Sequence, residues 1–379
     1  MRIRSIKAVP VSFRVPEGQN VTLGIGRAVK RDAVLIKVET DEGVTGWGEA
    51  HHGRCPGAIA KLIDTTLSDL VLGMDALDVV GVWARVYKMQ LASHGMGAAA
   101  AMALSGLDIA LWDIRGKAVG WPIYRLLGGT SKPIRAYAGG ISLGYQDPAS
   151  LIDEAQGYVS KGYQALKLRV GDTPARDIAR ARAVRKAVGD EIDILVDANT
   201  GYRLEDVRRV MPVFEDLAIG WLEEPFPPHD HRLYEQAAAL GTVPLAAGEN
   251  HFTRFEFTGL IENGAVGYIQ PDLSKTGGIT ETMRIAALAS AYKMNVNPHT
   301  SATGINMVAT LHLLAAVDNP GYFEGDVAIH NPFRDEVGGI PYRLDGEGCV
   351  RPMDGPGLGI EVDEGFIARH GLIEGPCYV

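Results

Sequence analysis

Six acidic or imidazole side chains recur through the second half of this chain at nearly constant spacing. Asp197, Glu223, Glu249, Asp272, His299 and Glu324 are separated by 26, 26, 23, 27 and 25 residues. Each interval is about the length of one strand–loop–helix unit, so successive groups fall at the same height on successive strands. Upstream, Lys167 and Arg169 close another short apolar strand, and Asn199 follows Asp197 by two positions. Three carboxylates brought to one mouth, Asp197, Glu223 and Glu249, repel one another by several kcal/mol unless a cation lies among them. Ligation by oxygen alone, with no cysteine and no obligatory histidine, selects a hard ion, Mg²⁺ before Mn²⁺. Any one of these acids alone could equally cap a helix or join an ion pair; three in phase favour the metal. Asp272 and His299 end neighbouring strands. A carboxylate that accepts from one imidazole nitrogen fixes the tautomer and raises the basicity of the other, which makes the histidine a general base.

Holding such a ring in place requires eight parallel strands alternating with helices. The apolar runs predict them at 134–138, 165–169, 192–197, 219–223, 243–249, 268–270, 295–299 and 322–324. That alternation is the arithmetic of a closed α/β barrel, whose active sites lie where the strands end. Ahead of it the pattern is different. Residues 33–39 and 44–50 alternate as strands about the turn Asp41-Glu42-Gly43, and from about Gly57 to Leu127 the period becomes helical, with an Ala-rich run from Met96 to Leu111. Gly128 and Gly129 stop the last helix and mark a boundary. The predicted domains are an N-terminal α+β region, 1–129, and a barrel, 130–337.

Composition narrows the chemistry. At 379 residues the chain accommodates a barrel, about 250 residues by itself, plus one smaller domain. A net charge of −9 argues against a nucleic-acid partner, which needs clustered Lys and Arg, and favours a small-molecule substrate. Cys55, Cys349 and Cys377 are scattered and odd in number, the pattern of reduced thiols in a cytoplasm. The start of the chain lacks the apolar core of a signal peptide, and no window approaches about 18 uninterrupted apolar residues. A cytoplasmic enzyme without a membrane partner is therefore expected.

The chain resembles the enolase superfamily, and within it the mandelate racemase subgroup, over almost its whole length. The resemblance is carried by Gly46-Trp47-Gly48-Glu49, Leu107-Asp108-Ile109-Ala110-Leu111-Trp112-Asp113, Leu126-Leu127-Gly128-Gly129, Val196-Asp197-Ala198-Asn199, Glu223-Glu224-Pro225, Gly248-Glu249-Asn250, Gln270-Pro271-Asp272, Gly277-Gly278 and Pro356-Gly357-Leu358-Gly359. It implies a modified (β/α)7β TIM-like barrel under an α+β capping domain, with residues 338–379 returning to that cap. It implies that Asp197, Glu223 and Glu249 bind Mg²⁺ and that Asp272 and His299 form a catalytic dyad. Glu324, in its protonated form, would hydrogen-bond a substrate carboxylate oxygen; Lys167 matches the first lysine of a Lys-x-Lys motif; Asn199 and Asn250 lie beside the metal and face substrate. Similar family members form symmetric homo-oligomers, from dimers to octamers.

Strand two departs from that pattern, because it reads Lys167-Leu168-Arg169 where the racemases place a second lysine. Arginine stays protonated far above neutral pH and is a poor base. Inversion needs exchange on both faces of the α-carbon, whereas β-elimination needs one strong base, His299. The leaving hydroxyl would be protonated by His299 again or assisted electrostatically by Arg169, unless Arg169 merely pairs with a Glu or Asp across the barrel mouth. The expectation is therefore an acid sugar dehydratase, converting an aldonate or aldarate to a 2-keto-3-deoxy acid. An epimerase, a racemase or a sugar-acid lactone cycloisomerase would use the same enediolate, and a non-catalytic metal-binding barrel is the remaining alternative. The resemblance assigns specificity to two capping loops, here 16–31 and 51–56: Arg27 and Lys30 could meet a distal carboxylate, and His51 and His52 stand side by side. His229 and His231 have the spacing of a metal pair, but their Pro-rich setting suits a solvated loop.

Overall fold

The computed structural model describes residues 1–300 and 302–379. β1 (Ile3–Arg14) leads through a short hairpin, β2 (Thr22–Leu23) and β3 (Gly26–Arg27), into β4 (Lys30–Thr40) and β5 (Thr45–Ala50). β4 pairs antiparallel with both β1 and β5 to give a three-stranded sheet. The helix Ala98–Val119 lies against β5, and glycines allow the approach. A Cβ at Gly48 would stand 1.9 Å from the Gly106 carbonyl oxygen, and one at Gly46 would stand 2.2 Å from that of Ala110. This helix is buried on nearly every side, because its other face meets the barrel. Ser105 Oγ accepts from Gly277 N at 2.8 Å, Asp108 accepts from Thr280 N at 2.9 Å, and Trp112 Nε1 donates to Thr280 Oγ1 at 2.9 Å. Its polar residues thus join the cap to the N-terminus of the barrel helix Gly278–Ala291.

The barrel strands are β6 (Ile134–Gly139), β7 (Ala165–Arg169), β8 (Asp193–Asp197), β9 (Ile219–Glu223), β10 (Leu245–Ala247), β11 (Tyr268–Ile269), β12 (Asn295–Val296) and β13 (Phe323–Asp326). They pair in parallel in the order β12-β11-β10-β9-β8-β7-β6-β13. A parallel bridge between Val296 and Pro320 brings the two ends of the sheet together. One main helix separates each consecutive pair of strands, so the architecture is (β/α)7β. The helices start where side chains replace missing partners: Asp147 and Thr173 accept first-turn amides ahead of Pro148 and Pro174. After the barrel, β14 (Cys349–Val350) pairs antiparallel with the start of β6 before the chain reaches the N-terminal region. There Gly357 bridges to Pro122, Gly371 to Val11 and Tyr378 to Ala28.

Several strands stop short of the predicted ends. Glu249 and His299 lie beyond β10 and β12 rather than within them, and Asp272 follows β11, which ends at Ile269. At β10 the cause is local: Gly248 takes a φ of 148°, and a Cβ there would come within 2.6 Å of Gln270 N. The backbone leaves the ladder at that glycine and aims the next side chain across the barrel mouth. Asn199, Thr200 and Glu224 also adopt positive φ, of 43°, 64° and 35°, just past β8 and β9. Lys30 and Arg31, expected in a capping loop, are instead the first residues of β4.

Beneath the mouth, Tyr137, Trp221, Tyr268 and Tyr322 fill the barrel interior with Leu195 and Ala246. Tyr137 and Trp221 meet edge to face at 5.7 Å, an aromatic floor under the polar ring. No described helix is long and apolar enough to cross a membrane. Replacing Gly48 by Ala forces a methyl into the Gly106 carbonyl. Denaturant melts should show a loss of about 1–3 kcal/mol with an unchanged m-value, the ordinary consequence of overpacking.

Candidate active site

The polar ring converges at the C-terminal ends of the barrel strands, as the spacing requires. Lys167, on β7, is fully buried, and its ammonium lies 2.8 Å from Glu223 Oε1, 3.0 Å from Glu324 Oε1 and 3.7 Å from Asp197 Oδ2. It also stands 5.3 Å above the Tyr137 ring. Burial would push this lysine down, but Glu223 and Glu324 outweigh burial and keep it charged. Glu223 is held further by Trp221 Nε1 at 3.1 Å and Gln270 Nε2 at 2.7 Å, and burial pushes its carboxyl up to about 7.

Arg169 points to the same mouth. Its guanidinium donates to Asp197 Oδ2 and to the Gly140 carbonyl, with Asn199 Oδ1 at 3.4 Å. Asp197 and its acidic neighbours overcome the burial of this guanidinium and hold it cationic. Asp197 in turn accepts from Asn199 N at 2.8 Å and from Asn199 Nδ2 at 3.1 Å. The side chain read as a replaced base is thus an ion-pair partner of an expected metal ligand.

His299 bridges two carboxylates, with Nδ1 2.7 Å from Asp272 Oδ2 and Nε2 2.9 Å from Glu249 Oε2. Burial alone would lower its pKa, but Glu249, Glu324 and Asp272 outweigh burial and lift it to about 10. Asp272 is itself oriented by Ser274, through N at 2.7 Å and Oγ at 2.6 Å, and by Asn306 Nδ2 at 3.1 Å. Glu324 differs from its expected form. Burial favours protonation, yet Lys167, His299 and Arg169 outweigh it and hold the carboxyl at about 2. It accepts from Gly140 N at 3.0 Å and Thr300 N at 3.1 Å, so it is an ionised acceptor with no proton to offer.

Each expected ligand carboxylate is therefore paired with a positive group: Asp197 with Arg169, Glu223 with Lys167, and Glu249 with His299. Their oxygens do not gather to within 4.8 Å of one another; among the described residues the group of three that does is Asp32, His52 and Cys377. The chemistry of the Asp197, Glu223 and Glu249 donors still fits a hard divalent ion. They are carboxylates at neighbouring strand ends, and beside them Glu224 Oε1 is buried without a hydrogen-bond partner.

Above this ring lies a cavity of about 150 Å³, lined by Arg169, Asn199, Glu249 and His299 from the barrel and by His51, His52 and Tyr378 from the cap side. Asn250 also lines it, with Nδ2 2.7 Å from Glu224 Oε2 and 3.1 Å from Glu249 Oε1. His51 and His52 stack at 4.2 Å, and their Nδ1 atoms accept from Gly53 N and Arg54 N. Arg27 does not join them. It is exposed on the β2–β3 hairpin, outside the cavity lining. Lys30 reaches the cavity, but its ammonium is bound to Asp32 at 3.1 Å and to the Ile373 and Gly375 carbonyls at 2.6 and 2.8 Å. His231 opens a helix, and neither it nor His229 belongs to a described ligand cluster.

Sequence reasoning passed over Glu224 and Lys275, both nearly buried and both lining the cavity. Glu224 had a signal: of two adjacent acids at a strand end, only one can point into the barrel, and the other must face the mouth. Lys275 follows Asp272 by three residues, and its spacing had no such logic. Asp32 and Asp326 were also missed, because their importance lies in pairing with Lys30 and Arg31 across the fold.

Comparison with known proteins supplies the family. A family model described as mandelate racemase/muconate lactonizing enzyme, N-terminal domain, matches residues 7–128, and one described as enolase C-terminal domain-like matches residues 150–366. Arabinonate dehydratase from Saccharolobus solfataricus is 35% identical over 344 residues, covering 89% of this chain and 90% of that protein. D-galactarolactone cycloisomerase from Agrobacterium fabrum is 34% identical over 346 residues, covering 88% and 90%. The crystal structure of an enolase superfamily member from Polaromonas sp. JS666 is similar at a TM-score of 0.98 and 56% identity, covering 100% of both chains. A racemase from Streptomyces coelicolor with bound magnesium is similar at a TM-score of 0.88 and 27% identity, covering 98% of this chain and 100% of that one. With both of its modules matched and its (β/α)7β barrel in place, the chain belongs to the mandelate racemase/muconate lactonizing enzyme family of the enolase superfamily.

Proposed function

We propose that the chain is a sugar-acid dehydratase that removes the proton α to a carboxylate and expels the β-hydroxyl. The observation that carries this reading is the asymmetry between the two basic groups of the mouth. His299 stands on Asp272 at 2.7 Å, whereas Arg169 is committed to Asp197. Once the Glu249 charge is neutralised, an imidazole exchanges its proton near neutral pH, and a guanidinium so held does not. Elimination needs one such group; inversion needs two.

His299 takes the α-proton on Nε2, and the electrons of the C–H bond spread onto the substrate carboxylate as an enediolate. Collapse of that enediolate breaks the bond between the β-carbon and its hydroxyl. The proton held on His299 goes to the leaving oxygen, so one water is lost and the enol becomes a 2-keto-3-deoxy acid. Lys167, fixed between Glu223 and Glu324, places a buried positive charge under the developing anion, where it stabilises the transition state more than the ground state. Glu324 holds Lys167 in position rather than donating a proton. Asp197, Glu223 and Glu249 would hold Mg²⁺, and bound there the ion supplies Lewis-acid stabilisation of charge on the substrate carboxylate. Lactone cycloisomerisation is a second reading, favoured by the 34% identical cycloisomerase; it shares the first step and yields a product of unchanged mass.

Incubation of the purified protein with Mg²⁺ and a panel of sugar acids should give a 2-keto acid lighter than its substrate by one water. An isomer of equal mass, or inversion at the α-carbon, would reject dehydration. His299→Asn should slow deuterium exchange at the α-carbon by roughly 10²–10⁴-fold, the usual worth of a general base, with the melting temperature little changed. Protein stripped of divalent ions should carry an imidazolium at His299 up to about pH 10 by NMR, and saturating Mg²⁺ should lower that midpoint by neutralising Glu249. The sign is set by the upward shift. The His299 pairings of the stripped protein stabilise the fold fully below about 6.5 and are lost as pH rises through about 10.

A further inference from the structure

The turn that follows β11 joins the dyad to the cap. Asp272 Oδ1 accepts from Ser274 N and Oγ there, which leaves Oδ2 for His299, and the Ser274 carbonyl accepts from His51 N at 2.9 Å. Lys275 is the next residue. Its N–H donates to the Asp272 carbonyl at 2.9 Å, and the residue, only 5% exposed, lines the cavity. The other cations of this lining are committed or solvated: Arg169 is held by Asp197, Lys30 by Asp32 and Arg31 by Asp326, and Arg54 stands exposed at the rim. Among the described residues the Lys275 ammonium has neither a carboxylate partner nor a hydrogen-bond acceptor. The acids that its charge reaches are turned elsewhere, Glu249 and Asp272 to His299 at 2.9 and 2.7 Å and Glu224 to Asn250 at 2.7 Å. On the cap side the same charge falls on His51 and His52. Those two rings present donors as well. Each accepts a backbone N–H on Nδ1, from Gly53 at 3.1 Å and from Arg54 at 2.9 Å, so the ring proton sits on Nε2, which has no acceptor among the described residues.

We propose that Lys275, with the Nε2–H groups of His51 and His52, binds the second carboxylate of a dicarboxylic sugar acid, an aldarate, and so sets the substrate class. The proposal rests on the dehydratase reading and narrows it. A buried ammonium needs a counter-ion, and the chain provides none in contact with this one. A cluster that only donates calls for a group that only accepts, and a carboxylate is both that acceptor and that counter-ion. A hydroxyl would bring a proton of its own, and the nearest wall carboxylate is already engaged: Asp32 accepts from Ser12 Oγ at 2.6 Å, from the Cys377 thiol at 2.9 Å and from Lys30. Nor does a second carboxylate meet an unbalanced acid on this wall, because Asp32 and Asp326 carry Lys30 and Arg31 as partners. Lys275 is thus the cation that the reading of Lys30 as a distal anchor sought, delivered by a barrel turn instead of a capping loop.

The test uses matched pairs of sugar acids that share their stereochemistry and differ only in whether the last carbon is a carboxylate or a hydroxymethyl. With the Mg²⁺-loaded enzyme in D₂O, α-proton exchange and 2-keto acid formation are followed by NMR. The aldarate of at least one pair should be processed with a kcat/KM roughly 30-fold or more above its aldonate, the usual worth of a desolvated charge pair. Lys275→Met should erase that preference mainly through the aldarate KM, and Lys275→Arg should restore part of it. Aldonate turnover equal to or faster than that of every aldarate partner overturns the subsite and leaves the dehydratase reading intact. A Lys275→Met loss that is the same for both acids of a pair also overturns it, because the lysine would then serve the reacting end. Exchange that favours aldarates but yields only an isomer of equal mass overturns dehydration and leaves the subsite standing; exchange with no member of any pair overturns both. Should Lys275→Met not fold, calorimetric titration of the wild-type protein with both acids of a pair replaces it: tighter aldarate binding that weakens with salt supports the subsite, and equal affinities overturn it.

Discussion

The structure depends on the electrostatics of one crowded place, where Asp197 and Glu223 end β8 and β9, Glu249 and Asp272 follow β10 and β11, and Glu324 lies in β13. Ionised together and desolvated, they could not be held at the end of a stable barrel. Three positive groups relieve the repulsion, and each is placed by the fold: Lys167 between Glu223 and Glu324, Arg169 on Asp197, and His299 between Glu249 and Asp272. The aromatic floor of Tyr137 and Trp221 excludes water from below and so strengthens every one of these interactions. The same arrangement that makes the barrel tolerable creates a field suited to stabilising a dianionic intermediate.

The cap does more than roof this ring. Glu49, at the end of β5, is fully buried and accepts from Thr303 and from Asn306 N at 3.0 Å, so a cap carboxylate sits at the N-terminus of the barrel helix Gly304–Ala316. Asn306 then passes that placement on, donating from its side chain to Asp272 at 3.1 Å. The chain from Glu49 through Asn306 to Asp272 and His299 ties the geometry of the proposed dyad to the docking of the two modules. The close glycine contact of β5 with the helix Ala98–Val119 has a consequence here, because it sets where Glu49 stands.

Much of the fold was legible because it follows from periodicity. Eight apolar runs at barrel spacing, separated by amphipathic helices, leave few ways to bury their surfaces, and the strand-end position of Asp197 or Glu223 then follows from register alone. What was misread concerns pairing. Lys30 looked like a free cation for a distal carboxylate because its partners, Asp32 and the Ile373 and Gly375 carbonyls, include residues more than three hundred positions away. Arg27, three residues earlier, carries the same charge and lies outside the cavity, a distinction set by a two-residue hairpin rather than by residue type. Glu324 looked like a proton donor until Lys167 was found against it.

By itself the sequence determined which residue types reach the barrel mouth, since strand period and repeat length are local properties of the chain. Their states of charge came from the closed fold: Lys167 beside Glu324 holds that carboxyl low, Arg169 is tied to Asp197, and Lys30 and Arg31 are paired with Asp32 and Asp326. The physical reason is that ionisation depends on burial and on charges a few ångströms away. Those neighbours come from distant parts of the chain, so they exist only once the barrel has closed and the cap has docked.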